Sequence, residues 1–383
     1  MPYDFEDIRP YTDAEMREAM KRIVADRHFP LVAGFVYPDR NPKEVVDMFL
    51  SFEHVLAFQY KVMYDLVIGI LAKSIDRFTW EGIENLDRTK NYLFVSNHRD
   101  IFLDATLLQY ILYQEGFPTT EISFGSNLMQ GQFVTDIGKS NRMYKTVRGG
   151  SPRELLKNSM LLSAYLRHCI TEKGVSSWIA QRNGRTKNGI DATDPGIIKM
   201  FNMSGRNDVL SNIAELNIVP VAVSYQYETC DAMKARELFL SQTEAYRKAP
   251  GEDMKSILAG INDDKGSLHF AIAKPVTRED LAPFEALDKN SLFPAIASLI
   301  DRRIGAGYRL WDTHYIGYDL LYGGDNHATH YSGQQKQAFI DRMEKVLASL
   351  DVHDEGVRKT FLQIYANPVN APATYPQSPA PQA

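Results

Sequence analysis

The chain has 383 residues, 44% of them apolar and 24% charged, and a net charge of −5. That length suits one large α/β domain with additions or two ordinary domains, and the composition is that of a folded soluble or peripheral protein. The acidic balance excludes a global attraction to nucleic acid, so any anion site has to come from local clusters of Lys and Arg.

Two cysteines, Cys169 and Cys230, stand far apart in no CxxC pattern, which argues against a disulfide framework and a structural zinc site and for a reducing compartment. The opening MPYDFEDIRP lacks the basic-then-apolar order of a signal peptide. Residues 1–85 read as a helical region, because DAEMREAMKRIV and PKEVVDMFLSFEHVL place apolar residues three and four apart. The most apolar stretch, 55–75, is interrupted by Lys61, Asp65 and Lys73, so a spanning helix is not expected. It reads either as a buried amphipathic helix or as a helix lying on a membrane surface.

The texture changes near Asn91. YLFVSNH, EISFGSN, SSWIAQR, IVPVAVSYQY and SLHFAIAKPV read as strands with helical stretches between them, the pattern of a layered α/β domain over 86–280. Helical periodicity returns over 281–366, in DKNSLFPAIASLIDRRI and GQQKQAFIDRMEKVLASL. The segment 367–383 is rich in Pro, Ala and Gln and is expected to be disordered. His327 and His330 are three apart in a loop-like segment with no third ligand in view, so no metal site is expected. Trp80, Trp178 and Trp311 read as core anchors, and no phosphate-binding loop of the nucleotide hydrolases is present.

The run SNHRDIFLD, 96–104, carries the chemistry. A buried strand ends in a polar turn, Asp100 is placed to cap a following helix, and Asp104 lies on that helix facing back toward the turn. Inside one helix, residues six apart would face differently, so His98 and Asp104 meet only if the helix starts after His98. A neutral imidazole with a carboxylate behind it is a general base and its orienter. The pair brings no nucleophile of its own and suits direct transfer to an alcohol from an activated donor such as a thioester.

SNHRDIFLD resembles the first block of the glycerolphosphate and lysophosphatidic acid acyltransferase superfamily, in a bacterial branch that writes it NHRD, three apolar residues and Asp. The usual block separates His from Asp by four residues, and here five intervene, which leaves Asp100 as a second possible partner for His98. Residues 128–150, 178–189 and 218–227 resemble the second, third and fourth blocks in order.

The resemblance implies a mixed sheet flanked by helices, a glycerolphosphate-acyltransferase-like fold with helical N- and C-terminal additions. It implies transfer of an acyl chain from acyl-coenzyme A or acyl-carrier protein to a phosphorylated lysolipid, foremost 1-acyl-glycerol-3-phosphate. His98 and Asp104 would be catalytic. Arg148, with Lys139 and Arg142 as runners-up, and Arg182, Asn183, Gly184 and Arg185 would line the acceptor site. Asn183 stands where the third block usually has Glu, which points to an altered acceptor, lower activity or a compensating acid nearby. No cofactor and no nucleic acid are expected, and the location implied is cytoplasmic, peripheral at the inner face of the cytoplasmic membrane. Two other readings stand beside this one: an acyltransferase for another lysolipid or an amino-acid lipid, and a non-catalytic lipid-binding scaffold.

Overall fold

In the computed structural model, which describes residues 3–243, 246–352 and 354–374, seven strands form one sheet. They are β1 (Arg77–Glu81), β2 (Leu93–Ser96), β3 (Glu121–Gly125), β4 (Met143–Thr146), β5 (Ser177–Ala180), β6 (Ile218–Tyr225) and β7 (Ser267–Ile272). Their spatial order is β1-β7-β6-β2-β5-β3-β4. The five strands β6, β2, β5, β3 and β4 run parallel, while β7 is antiparallel to β6 and β1 is parallel to β7. The α/β expectation holds, and all five expected strands are present.

Two strands were not expected. β1 falls inside the segment read as helical, so the sheet begins before residue 86, and β4 lies among the basic residues of the second block. They are the two edges of the sheet. An edge strand needs only one neighbour and one well-buried face, so RFTWE and MYKT lack the continuous apolar signal of β2 and β6.

Side chains of the central strands alternate between two cores. Leu93, Val95, Ile179, Ile218 and Ala222 face a cluster with the helices Pro152–His168, Pro195–Asn202 and Lys289–Gly307. Phe94, Trp178, Val219, Val221, Val223 and Tyr225 face the other side, against the helices Tyr64–Ser74, Leu103–Gln114 and Glu252–Asn262. The helix Lys289–Gly307, read as part of a C-terminal addition, is therefore a layer of the main domain.

Residues 55–74 form one helix with a π-helical middle, Gln59–Met63, that is long and apolar enough to cross a bilayer. Phe58, Val62 and Met63 pack in an N-terminal cluster around Phe29 and Phe49, and Val67 and Ile70 pack against the sheet layer. Leu56 and Ile68 stay exposed. The helix is partly buried, and its exposed positions mix apolar Leu56 and Ile68 with Lys61 and Lys73.

The last described helix, Glu355–Thr374, runs through the first eight residues of the segment expected to be disordered. It is docked: Asn367 Nδ2 donates to the Asn188 carbonyl at 2.7 Å, and Tyr365 and Ala366 are buried. Packing supplies what composition lacked; residues 375–383 lie outside the described ones.

Beside this helix His314 is buried, and its Nδ1 accepts the Trp311 backbone N–H at 2.9 Å. Burial, with the Arg99 charge nearby, holds its pKa down to about 3. Between about 6.5 and 3 the unfolded chain binds a proton that the folded chain refuses, so stability falls as the pH drops through that window. Urea unfolding at pH 7 and pH 5 should show a loss of ~2 kcal/mol from this group, and His314→Gln should remove that part of the loss.

Candidate active site

The strand β2 is wholly buried and exits into Asn97. The Asn97 amide takes over where the ladder ends: Nδ2 donates to the Val223 carbonyl at 2.9 Å and Oδ1 accepts the Val223 N–H at 2.8 Å. The His98 carbonyl then accepts the Thr186 N–H at 2.7 Å, which fastens the turn to the loop after β5.

The helix begins at Leu103, later than a helix capped directly by Asp100 would. Asp100 Oδ1 still accepts the N–H groups of Phe102 and Leu103, each at 2.9 Å. Its Oδ2 has no hydrogen-bond partner among the described residues and lies against Gly260, where a Cβ would stand 2.2 Å away. Only glycine lets the 252–262 helix settle here. Asp100 is thus committed elsewhere and is not the partner of His98.

Asp104, in the first turn and fully buried, faces back over the turn. Its Oδ2 accepts from His98 Nδ1 at 3.0 Å, from the Arg99 N–H at 2.7 Å and from the Asp100 N–H at 2.9 Å. Its Oδ1 accepts from the Tyr225 hydroxyl at 2.8 Å. Backbone N–H groups can only donate, so Oδ2 is an acceptor and His98 Nδ1 carries the proton. Nε2 is then the basic nitrogen. The His98 ring lies edge-on to Trp178, 6.0 Å between centroids, and is almost buried. Tyr225 is a member of this site that sequence reasoning missed; it is the last residue of the fourth block's strand, and nothing in its spacing from Asp104 shows the meeting.

The loop after β5 folds over His98. Gln181 N–H donates to the Ser96 carbonyl at 2.8 Å, and Gly184 takes a φ of +76°, the left-handed conformation that favours glycine. The side chains of Arg182 and Asn183 make no hydrogen bond or ion pair among the described residues. Arg185 donates to the Cys230 sulfur at 3.5 Å and makes no salt bridge among the described residues, though the Asp253 charge is near enough to act on it. Burial, with Asp100 nearby, pushes the Cys230 thiol up to about 11, so it stays protonated and offers no thiolate.

Arg148 follows β4, and its guanidinium lies over Gly125 at the end of β3, 3.0 Å from where a Cβ would be. Next to it Asn127 donates to Asp253 at 3.1 Å, an acid of the 252–262 helix that also pairs with Lys248 at 2.5 Å. The strands β2, β3, β4 and β5 are parallel, so His98, Asn127, Arg148 and the 182–185 loop all sit at their carboxyl ends. That edge is where open α/β sheets bind ligands.

Lys139 and Arg142 do not belong to it. Both precede β4 and so lie at the opposite edge. Lys139 Nζ donates to the Asp7 carbonyl at 3.1 Å, and Arg142 donates to the Thr119 carbonyl at 2.7 Å. They tie loops together.

Residues 77–224 match the family model described as Acyltransferase, a span that runs from the start of β1 to one residue before the end of β6 and contains His98, Asp104, Arg148 and the 182–185 loop. No curated protein matches the chain. Among solved structures, the chain is similar to the 1-acyl-sn-glycerophosphate (LPA) acyltransferase PlsC of Thermotoga maritima, with a TM-score of 0.37 and 12% identity over 77% of this chain and 94% of that one. A second similarity, with a TM-score of 0.22 and 12% identity over 94% of this chain and 93% of the other, is to the 54 kDa protein of the signal recognition particle from Aeropyrum pernix K1 in complex with GDP. The segment 77–224 is thus an acyltransferase domain, and the chain that carries it is an enzyme.

Proposed function

We propose that this enzyme moves an acyl chain from an acyl thioester, carried on coenzyme A or acyl-carrier protein, to the free hydroxyl of a phosphorylated glycerolipid, foremost 1-acyl-glycerol-3-phosphate, giving phosphatidic acid. The observation that carries this reading is an oriented imidazole at the same sheet edge as arginines that make no salt bridge among the described residues. His98 Nε2 takes the hydroxyl proton as the oxygen attacks the thioester carbonyl. The imidazolium is stabilised by Asp104. Collapse of the tetrahedral intermediate breaks the carbon–sulfur bond, and the thiolate leaves with the proton His98 had taken. No bond to the enzyme is formed.

Arg148, Arg182 and Arg185 hold the acceptor's phosphate, whose oxygens match the planar guanidinium fork. Asn183 brings no negative charge, and Asp253 is the acid that faces this half of the site. Leu31, Phe35, Leu56 and Ile68 are exposed on the N-terminal helices and would meet the membrane that holds the acceptor, at the inner face of the cytoplasmic membrane.

An acceptor panel with one labelled acyl thioester tests the reading. Arg182→Ala and Arg185→Ala should each raise KM for the phosphorylated acceptor by about 10-fold, with kcat far less affected. Turnover of non-phosphorylated acceptors alone would instead favour the second reading, another lysolipid or an amino-acid lipid, which Asn183 and Asp253 keep open. Restoration of phosphatidic acid in a host deficient in lysophosphatidic acid acylation is the matching test in cells.

A further inference from the structure

The arginine of the NHRD run does not face the acceptor side. Arg99 turns inward, with only 1% of its side chain exposed. Nε and Nη2 bind Asp191, at 3.1 and 2.8 Å, Nη1 binds Glu228 at 2.9 Å, and Nη2 also donates to the Gly189 carbonyl at 3.2 Å. Lys234, equally buried, pairs with Glu228 and donates to the Arg99 carbonyl at 2.7 Å. The Tyr308 ring stacks against the guanidinium, 5.3 Å from its centroid. Two cations and two carboxylates close the cage at zero formal charge.

Buried ion pairs are a poor source of stability, because desolvation cancels most of the attraction. What a guanidinium gives in return is orientation, with five donors in one rigid plane. Asp191 receives Arg99, and it also receives Asn97 Nδ2 at 2.9 Å. The residues on either side of His98 are therefore held by one carboxylate, and the turn sends the imidazole to the opposite side. The Arg99 backbone N–H, fixed by the same grip, makes the shortest bond to Asp104.

We infer that Arg99 and Asp191 are positioning residues, a clamp behind the turn that sets the His98–Asp104 geometry and takes no part in binding phosphate. In its kinetic arm the inference rests on the acyl-transfer reading above. With an acyl-coenzyme A and 1-acyl-glycerol-3-phosphate as probes, Arg99→Lys should lower kcat about 100-fold and leave both KM values within about threefold, the signature of misplacement. In an Asp104→Ala background, where His98 has already lost the acceptor that orients it, the same change should cost less than about threefold, because the clamp acts through that pair. Additive losses overturn the clamp, as does a kcat loss no larger than that of Glu121→Gln, which breaks the pair between buried Glu121 and exposed Lys173 at the other edge of the sheet.

A second arm needs no substrate. The downfield proton resonance of His98 Nδ1–H, assigned by its absence in His98→Gln, should vanish or move in Arg99→Lys and persist in Glu121→Gln. If it is unchanged in Arg99→Lys, the clamp is wrong even if the native protein transfers nothing to these acceptors. Should Arg99→Lys fail to fold, Asp191→Asn, which keeps the shape, carries both arms.

Discussion

Replacing His98 with alanine is expected to lower kcat by about 10³-fold, within the range ascribed to a positioned general base. Folding should survive. The turn is held by backbone and neighbouring side chains, through the Thr186 N–H to the His98 carbonyl and the Asn97 bonds to Val223, and none of these uses the imidazole. Asp104 would keep three of its four donors, Arg99 N–H, Asp100 N–H and the Tyr225 hydroxyl. KM for the acceptor should stay within a few fold, since the arginines that hold phosphate lie on other loops. Steady-state rates with purified variant, beside a thermal melt, check both parts. A kcat within tenfold of native would remove His98 from the role of base.

The sequence showed the site better than its surroundings, for a reason that can be followed strand by strand. β2, β5 and β6 are buried on both faces, so their apolar runs are continuous and their ends can be read; the site hangs on those ends. β4 is an edge strand, and MYKT gives no such signal. Unread, it made Lys139, Arg142 and Arg148 look like candidates for one site. In the fold this four-residue strand runs between Arg142 and Arg148 and separates them by ~13 Å along the sheet, at ~3.3 Å per residue. Of the three, only Arg148, beyond the strand, lies at the catalytic edge. The cage around Arg99 was illegible for a different reason. Asp191, Glu228 and Tyr308 come from three distant parts of the chain, and no local pattern marks a charged residue as buried. The same holds for the 367–374 helix, which is ordered by a partner surface that composition cannot reveal.

Asp104 allows charge and geometry to be separated, and two substitutions there should behave differently. In Asp104→Asn the amide oxygen can replace Oδ2, because the Arg99 and Asp100 N–H groups can only donate and need an acceptor there, and the amide nitrogen then faces the Tyr225 hydroxyl, which can accept. The orientation of His98 and its Nδ1 proton are retained, and only the negative charge behind the imidazole is lost. The expected result is a kcat lower by about 10²-fold with a small change in Tm, a cost confined to the imidazolium that forms during transfer. In Asp104→Ala the donors of His98, Arg99, Asp100 and Tyr225 all lose their acceptor in a buried place. Unfolding free energy should fall by ~3 kcal/mol in addition to the kinetic loss. A loss in Asp104→Asn as large as that of His98→Ala would mean that the amide had turned and the tautomer with it. A loss of less than about threefold would mean that the charge of Asp104 serves the fold and not the chemistry.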